Sequence, residues 1–299
     1  MYKVAVIVGP TAVGKSSLSI ELAKRFNGEI INGDSIQVYK HLNIGSAKIK
    51  EEEMQGVKHY LLDYKEVGDD YDVAQFQRDG RQAIEEIEQK GKLPIIVGGT
   101  GLYIKALLYD YQFVNQENKI NYDFSAYSNE QLFHQLEQSD YKSSLTIHPN
   151  NRKRIIRALE MAKQGVSKSQ QEEKQEHKML YNGKIIALTM DRERLKQRID
   201  QRIDLMLEEG LIKEVNDLFD RYPYDSHCFQ GIGYKEFIPY VKKEKTLNEC
   251  IEDIKTHTKQ FAKRQYTWFR HQMPVDWYDI ESADYPQNVF DDMEEFLNE

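Results

Sequence analysis

One octapeptide, Gly9-Pro10-Thr11-Ala12-Val13-Gly14-Lys15-Ser16, constrains the chain more than any other feature. It fits G-x-x-x-x-G-K-[ST]. In that pattern the glycines let backbone N–H groups turn inward around phosphate oxygens, the lysine adds a point charge and the hydroxyl can ligate Mg²⁺. The pattern has this meaning only between a strand and a helix, and that context is present. Val-Ala-Val-Ile-Val at 4–8 is a short apolar run of buried parallel-strand character. From Lys15 to Phe26, Leu18, Leu22 and Phe26 recur at helical spacing. A glycine turn that only joined strand to helix would not need the Lys15-Ser16 pair. The motif identifies a phosphate ligand without saying that it is a nucleotide. The sequence holds no N-K-x-D and no D-x-x-G, which argues against a GTPase, and no convincing Walker-B aspartate follows an apolar strand.

Strands and helices continue to alternate. Residues 29–33 read as a second strand, Leu93–Val97 as a third and 185–190 as a fourth. A helix opens after Asp72, its N-cap, and stops at Gly91. This alternation implies a parallel sheet covered on both faces. In such a sheet the site lies beyond the carboxyl ends of the strands. Four elements converge there: the phosphate loop, Gly33-Asp34-Ser35-Ile36-Gln37, Gly98-Gly99-Thr100-Gly101, and Asp191 with the arginine-rich helix behind it. Asp34 could take a proton from an incoming nucleophile, although an Asp after a strand is also a common helix cap. Arg194, Arg198 and Arg202 recur every fourth residue, and at least one is expected to touch phosphate. Asp200, Asp204, Glu208 and Glu209 stand ready to pair with the others.

The stretch 111–183 breaks the alternation. It is polar, shows no convincing strand, and reads as a small all-helical insertion between a first core segment, 1–110, and a second, 184–299. Its part from 167 to 178 is low in complexity, as an exposed helix or mobile loop would be. At 299 residues the chain has length for about two domains. Only Cys228 and Cys250 occur, so a disulfide framework is excluded and a reducing cytoplasm fits. No apolar run reaches membrane-spanning length.

The net charge of −8 argues superficially against a nucleic-acid partner. Residues 275–299, however, hold nine acids and no Lys or Arg, so the remainder carries +1. Residues 150–170 hold six bases and one acid, and 255–271 five bases and no acid. A phosphate backbone responds to such local surfaces. The helix from about Leu247, opened by the capping-box pattern Thr246-x-x-Glu249, interleaves Lys255, Lys259, Lys263, Arg264 and Arg270 with Tyr266, Trp268 and Phe269. That pattern suits stacked bases, or else places Trp268 and Phe269 in a core. The sequence leaves the role of the acidic end open, a tether and a screen being two of the choices.

Six blocks in order carry a resemblance: residues 9–16, Asp-Ser-x-Gln-x-Tyr at 34–39, Gly-Gly-Thr-Gly-Leu-Tyr at 98–103, His-Pro-Asn-x-x-x-Arg-Ile-x-Arg-Ala-Leu-Glu at 148–160, Gly-Ile-Gly-Tyr-Lys-Glu at 231–236 and Ala-Lys-Arg-Gln-x-Thr-Trp-Phe-Arg at 262–270. Together they resemble the bacterial tRNA dimethylallyltransferases, the IPP transferase family, from residue 3 to about 277. The resemblance implies an α/β fold with a P-loop NTPase-like parallel sheet core. It implies transfer of a dimethylallyl group from dimethylallyl diphosphate to N6 of the adenosine 3′ of the tRNA anticodon. Gly9 to Ser16 would then hold the donor diphosphate rather than ATP, with Mg²⁺ at Ser16. Asp34 would accept the N6 proton, while Lys15 and Arg202 would support the departing diphosphate. Asp34, Ser35, Ile36, Gln37 and Thr100 would hold the adenine, and Asn151, Arg152, Lys153, Arg154 and Ile155 would contact tRNA. A cytoplasmic monomer without membrane attachment is expected. Two positions depart from the pattern: Asp140-Tyr141 stands where many relatives have Asp-Pro, and Asn151 where Asp is frequent. Competing readings are an adenylate isopentenyltransferase acting on a free nucleotide, a P-loop small-molecule kinase, and an RNA-binding module with a vestigial phosphate loop.

Overall fold

The computed structural model describes residues 1–113, 122–173 and 178–299. Two compact units emerge, one of residues 1–109 with 179–299 and one of residues 110–178.

The first unit is the sheet core. In chain order it holds β1 (Lys3–Val8), α1 (Lys15–Arg25), β2 (Gly28–Asn32), α2 (Glu51–Met54), β3 (His59–Tyr60), α3 (Val73–Gln89), β4 (Leu93–Val97) and α4 (Gly101–Leu108). The second unit contributes α5 (Asn129–Ser139), α6 (Tyr141–Thr146), α7 (Arg152–Lys163) and α8 (Lys168–Glu173). The core then resumes with β5 (Asn182–Thr189), α9 (Arg192–Glu208), α10 (Leu211–Phe219), α11 (Ile238–Val241), α12 (Leu247–Gln272), β6 (Asp276–Asp279) and α13 (Gln287–Asn298).

Six strands lie in the order β3-β2-β4-β1-β5-β6, every neighbouring pair parallel. The central strand β1 is apolar on both faces because helices cover both. Val4, Val6 and Val8 belong to one buried cluster, with the α3, α4 and α12 side chains. Ala5 and Ile7 belong to the other, with Leu18 and Leu22 of α1. This is the period of two expected of a strand buried on each side. The caps expected of the sequence form. Asp72 accepts from Ala74 N and Gln75 N, and Thr246 and Glu249 close a capping box on α12.

Three expectations change. The acidic end is part of the folded core rather than a loose tail. Residues 276–279 add β6 to the sheet edge, and Val289, Phe290, Met293 and Phe296 of α13 are buried in the core. Its acids occupy the outer face, so charge counting hid an amphipathic helix. The insertion closes at 178 rather than 183, because Leu180 N donates to Leu108 O and β5 begins at Asn182. Finally, Asp200 and Asp204 pair with lysines rather than arginines. The faces of α9 and α12 meet, bringing Lys259 to Asp200 at 2.6 Å and Lys255 to Asp204 at 2.7 Å.

The second unit packs Leu132, Leu136, Ile147, Ile155, Ala158 and Leu159 into its own small core. Asp140 caps α6 with Tyr141 at its first position, a place Pro would also fill. Asn151 caps α7 by accepting from Arg154 N, the bond that Asp would make. Of the low-complexity stretch, 168–173 form α8, and residues 174–177 lie outside the described residues.

Candidate active site

The phosphate loop leaves β1 through Gly9, whose φ of 138° favours glycine. A Cβ there would also sit 2.7 Å from Leu188 O of β5. Gly14, at φ 106°, turns the chain into α1. Val13 is buried and pins the loop, while Ser16 is exposed at the start of the helix. Lys15 Nζ donates to Gly9 O at 3.1 Å and Pro10 O at 2.8 Å. Burial first, and then the Arg202 guanidinium, pull its pKa down to about 8, with the Asp34 carboxylate opposing. Those two influences put Lys15, Arg202 and Asp34 in one neighbourhood.

Asp34 closes the turn after β2 with one carboxylate oxygen. Its Oδ1 accepts from Ile36 N at 2.8 Å and Gln37 N at 3.3 Å, as a capping carboxylate does. Among the described residues Oδ2 has no hydrogen-bond partner, and Asp34 lines a cavity of about 500 Å³ with Thr11, Ala12, Gly14, Lys15 and Ser16. Asn32 fixes the turn: its Oδ1 accepts from Asp34 N and its Nδ2 donates to Asp34 O and Leu61 O. Gly33 and Gly98 touch so closely that a Cβ on Gly98 would lie 2.4 Å from Gly33 O. The turn after β2 is thereby locked to the turn after β4. Gln37 spends its amide on Ser46 O and Ala47 O. Ser35, Ile36 and Thr100 join Asp34 in lining a neighbouring cavity of about 460 Å³.

The arginine stripe separates by position. Arg194 pairs with Glu281 at 2.5 Å, away from the loop. Arg198 and Arg202 line the 500 Å³ cavity with Lys15 and Ser16. Burial, the largest influence, lowers the Arg202 pKa, and Arg198 adds to it. Two guanidinium groups and an ammonium around one space make a strongly anion-attracting site.

The basic helix α12 is less free than its sequence pattern suggests. Lys255 and Lys259 are committed to α9, Phe269 is fully buried, and Tyr266 packs on Trp277 with ring centroids 4.7 Å apart. Trp268 covers Gly101. Lys263 and Arg264 remain exposed. In the helical unit, Arg152 donates to Phe124 O, Tyr127 O and Asn129 Oδ1, and the Ile155 side chain is buried. Lys153 and Arg154 are exposed.

Two residues that sequence reasoning missed shape the site. Glu214 of α10 accepts from Asn43 N, Ile44 N and Gly45 N and from Tyr234 OH at 2.8 Å, fastening the 43–47 loop that Gln37 also holds. Gln265 of α12 bonds to both Thr11 and Gly99. Both act across long sequence separations, and no local pattern announces them.

The IPP transferase family model matches residues 37–272. A tRNA dimethylallyltransferase of Anoxybacillus flavithermus is 50% identical over 281 residues, covering 93% of this chain and 90% of the relative. The Bacillus mycoides enzyme of the same name is 47% identical over 285 residues with the same coverage. Among solved structures, a tRNA isopentenylpyrophosphate transferase from Staphylococcus epidermidis aligns over 100% of this chain and 99% of its own at 40% identity, TM-score 0.75. A eukaryotic dimethylallyltransferase acting on tRNA aligns over 100% of this chain and 80% of its own at 31% identity, TM-score 0.87. A parallel sheet with a phosphate loop at its carboxyl edge, and relatives this similar along nearly their whole length, lead to one conclusion: the chain belongs to the IPP transferase family.

Proposed function

We propose that this protein transfers a dimethylallyl group from dimethylallyl diphosphate to N6 of the adenosine 3′ of the anticodon in tRNA. The observation that carries the reading is the meeting of Lys15, Arg202 and Asp34 on one cavity beside the loop amides. A diphosphate needs cations and N–H donors where its charge grows, and the attacking amine needs a base on the same space. The donor C1–O bond breaks with its electron pair going to diphosphate, and N6 forms the new bond to C1. Asp34 Oδ2 takes the N6 proton, and Lys15 and Arg202 balance the leaving charge.

Mg²⁺ fits the donor set. Among the described residues no group of three or more His, Cys, Asp or Glu is built to hold a metal. Mg²⁺ readily takes one protein oxygen with phosphate oxygens and water, and the exposed Ser16 hydroxyl supplies that oxygen. When bound, the ion would neutralise diphosphate charge. The target adenine must leave the anticodon-loop stack to reach an allylic carbon in such a cavity. The 34–37 turn and Thr100 form the walls suited to hold it. Lys153 and Arg154 are the exposed bases suited to tRNA phosphates, with Asn151, Arg152 and Ile155 shaping the helix that carries them. Two free, buried cysteines agree with a reducing cytoplasm.

The deciding experiment supplies labelled dimethylallyl diphosphate with tRNA, AMP, ADP and ATP in parallel. Label is expected on tRNA alone. Label on a free nucleotide would make this an adenylate isopentenyltransferase, and ATP cleavage without label transfer would make it a kinase.

A further inference from the structure

Gln265 sits in the C-terminal third of α12, only 5% exposed, with both ends of its amide used. Its Oε1 accepts from Thr11 N of the phosphate loop at 2.8 Å. Its Nε2 donates to Gly99 O, in the turn after β4, at 3.0 Å. Three further contacts give this bridge its reach. A Cβ on Gly99 would stand 2.1 Å from Gln265 Nε2, so the turn has been fitted to the amide. One helical turn on, Trp268 lies over Gly101, where a Cβ would meet its ring at 2.2 Å. Thr100 is therefore gripped from both sides by one face of α12. Gly98, next to Gly99, is pressed against Gly33, the residue before Asp34.

We propose that Gln265 is a positioning residue that holds the phosphate loop in register with the turn bearing Thr100, so that donor and acceptor adenine are aligned by one buried amide. The inference rests on the prenyl-transfer reading above. The chemistry requires an amide. The bridge needs an acceptor on one end and a donor on the other. Glutamate provides both only when protonated. Ionised, it would set an oxygen against Gly99 O. Leucine keeps the volume and provides neither.

The test uses the full chain, tRNA and dimethylallyl diphosphate, with inorganic pyrophosphate as the probe of the loop. Wild-type transfer to tRNA is the control, and its absence would sink the prenyl-transfer reading rather than this one. Gln265→Leu is expected to weaken pyrophosphate inhibition about tenfold and to lower kcat at saturating substrates by a further ~10–100-fold, since misalignment persists after binding. For Gln265→Glu, kcat/KM relative to wild type is expected to rise as pH falls from 8 to 6, because protonation restores the missing donor. Taking the ratio removes titrations shared with the wild type. A flat ratio would overturn the proposal. So would a Gln265→Leu protein whose melting temperature falls while pyrophosphate inhibition and kcat stay as in wild type, or one in which only the pyrophosphate constant moves. If Gln265→Leu does not fold, the pH ratio of Gln265→Glu decides alone.

Discussion

Lys15 carries a stability cost that the structure lets one size. Its pKa falls from 10.5 to about 8, chiefly by burial and then by Arg202. The folded protein therefore binds fewer protons than the unfolded chain between those two pH values, and stability should rise with pH across that window. The full difference corresponds to about 3 kcal/mol at ~1.36 kcal/mol per pH unit. Lys15 borders an open cavity, so solvent screening reduces the expected gain between pH 7 and 10 to about 1–2 kcal/mol. Lys15→Met removes this dependence. The assay is urea unfolding of wild type and Lys15→Met at several pH values, compared as a difference so that other lysines and tyrosines cancel. Wild type should gain that about 1–2 kcal/mol on the variant as pH rises, while the variant loses prenyl transfer by at least ~10²-fold. The sign also predicts that Arg202→Met moves the window upward, since Arg202 is one of the depressing influences. Parallel pH curves for wild type and Lys15→Met would refute the reasoning.

Other outcomes follow from single contacts. Glu214→Ala strands three backbone N–H groups and the Tyr234 hydroxyl, so urea unfolding should show a loss of about 3 kcal/mol, with reduced activity as the 43–47 loop loosens. Met293→Ala should cost about 2–4 kcal/mol if α13 is core, and nothing if the acidic end is a detached tail. Burial pushes the Asp140 carboxyl up, but donors from Ser169, Ser143 and Ser167 outweigh it and hold it well below the usual carboxylate range. Its contribution is present above the unfolded value near pH 4 and lost as pH falls further, so Asp140→Asn should flatten the acid-side loss of helical-unit protection in hydrogen exchange. Arg154→Ala should weaken tRNA binding and reduce its salt dependence by about one unit of slope. Unchanged affinity and slope would remove α7 as an RNA contact.

What could be read from the sequence was what local chemistry determines. The phosphate loop, β4 at 93–97, the Asp72 and Thr246 caps and the Asp34 turn have their determinants within a few residues. What escaped depends on partners far along the chain. The stripe Arg194, Arg198, Arg202 is uniform in sequence, and only the distant Glu281 separates Arg194 from the other two. Lys255 and Lys259 of α12 looked available for phosphate until α9 brought Asp204 and Asp200 opposite them. The edge strand β6 is four residues with acids at both ends, too short for periodicity to register. β3, two residues long, is a strand only because β2 pairs with it. Gln265 and Glu214 lie on helices whose own patterns are ordinary, and their roles arise wholly from tertiary contact.

The central claim is that the loop at residues 9–16 grips the donor's diphosphate while Asp34 faces its reacting carbon. A crystal structure with dimethylallyl diphosphate and Mg²⁺ tests it most directly. Diphosphate density is expected against the loop amides, Lys15 and Arg202, with the allylic carbon turned toward Asp34 Oδ2. Diphosphate bound elsewhere, or an allylic group directed away from Asp34, would contradict it.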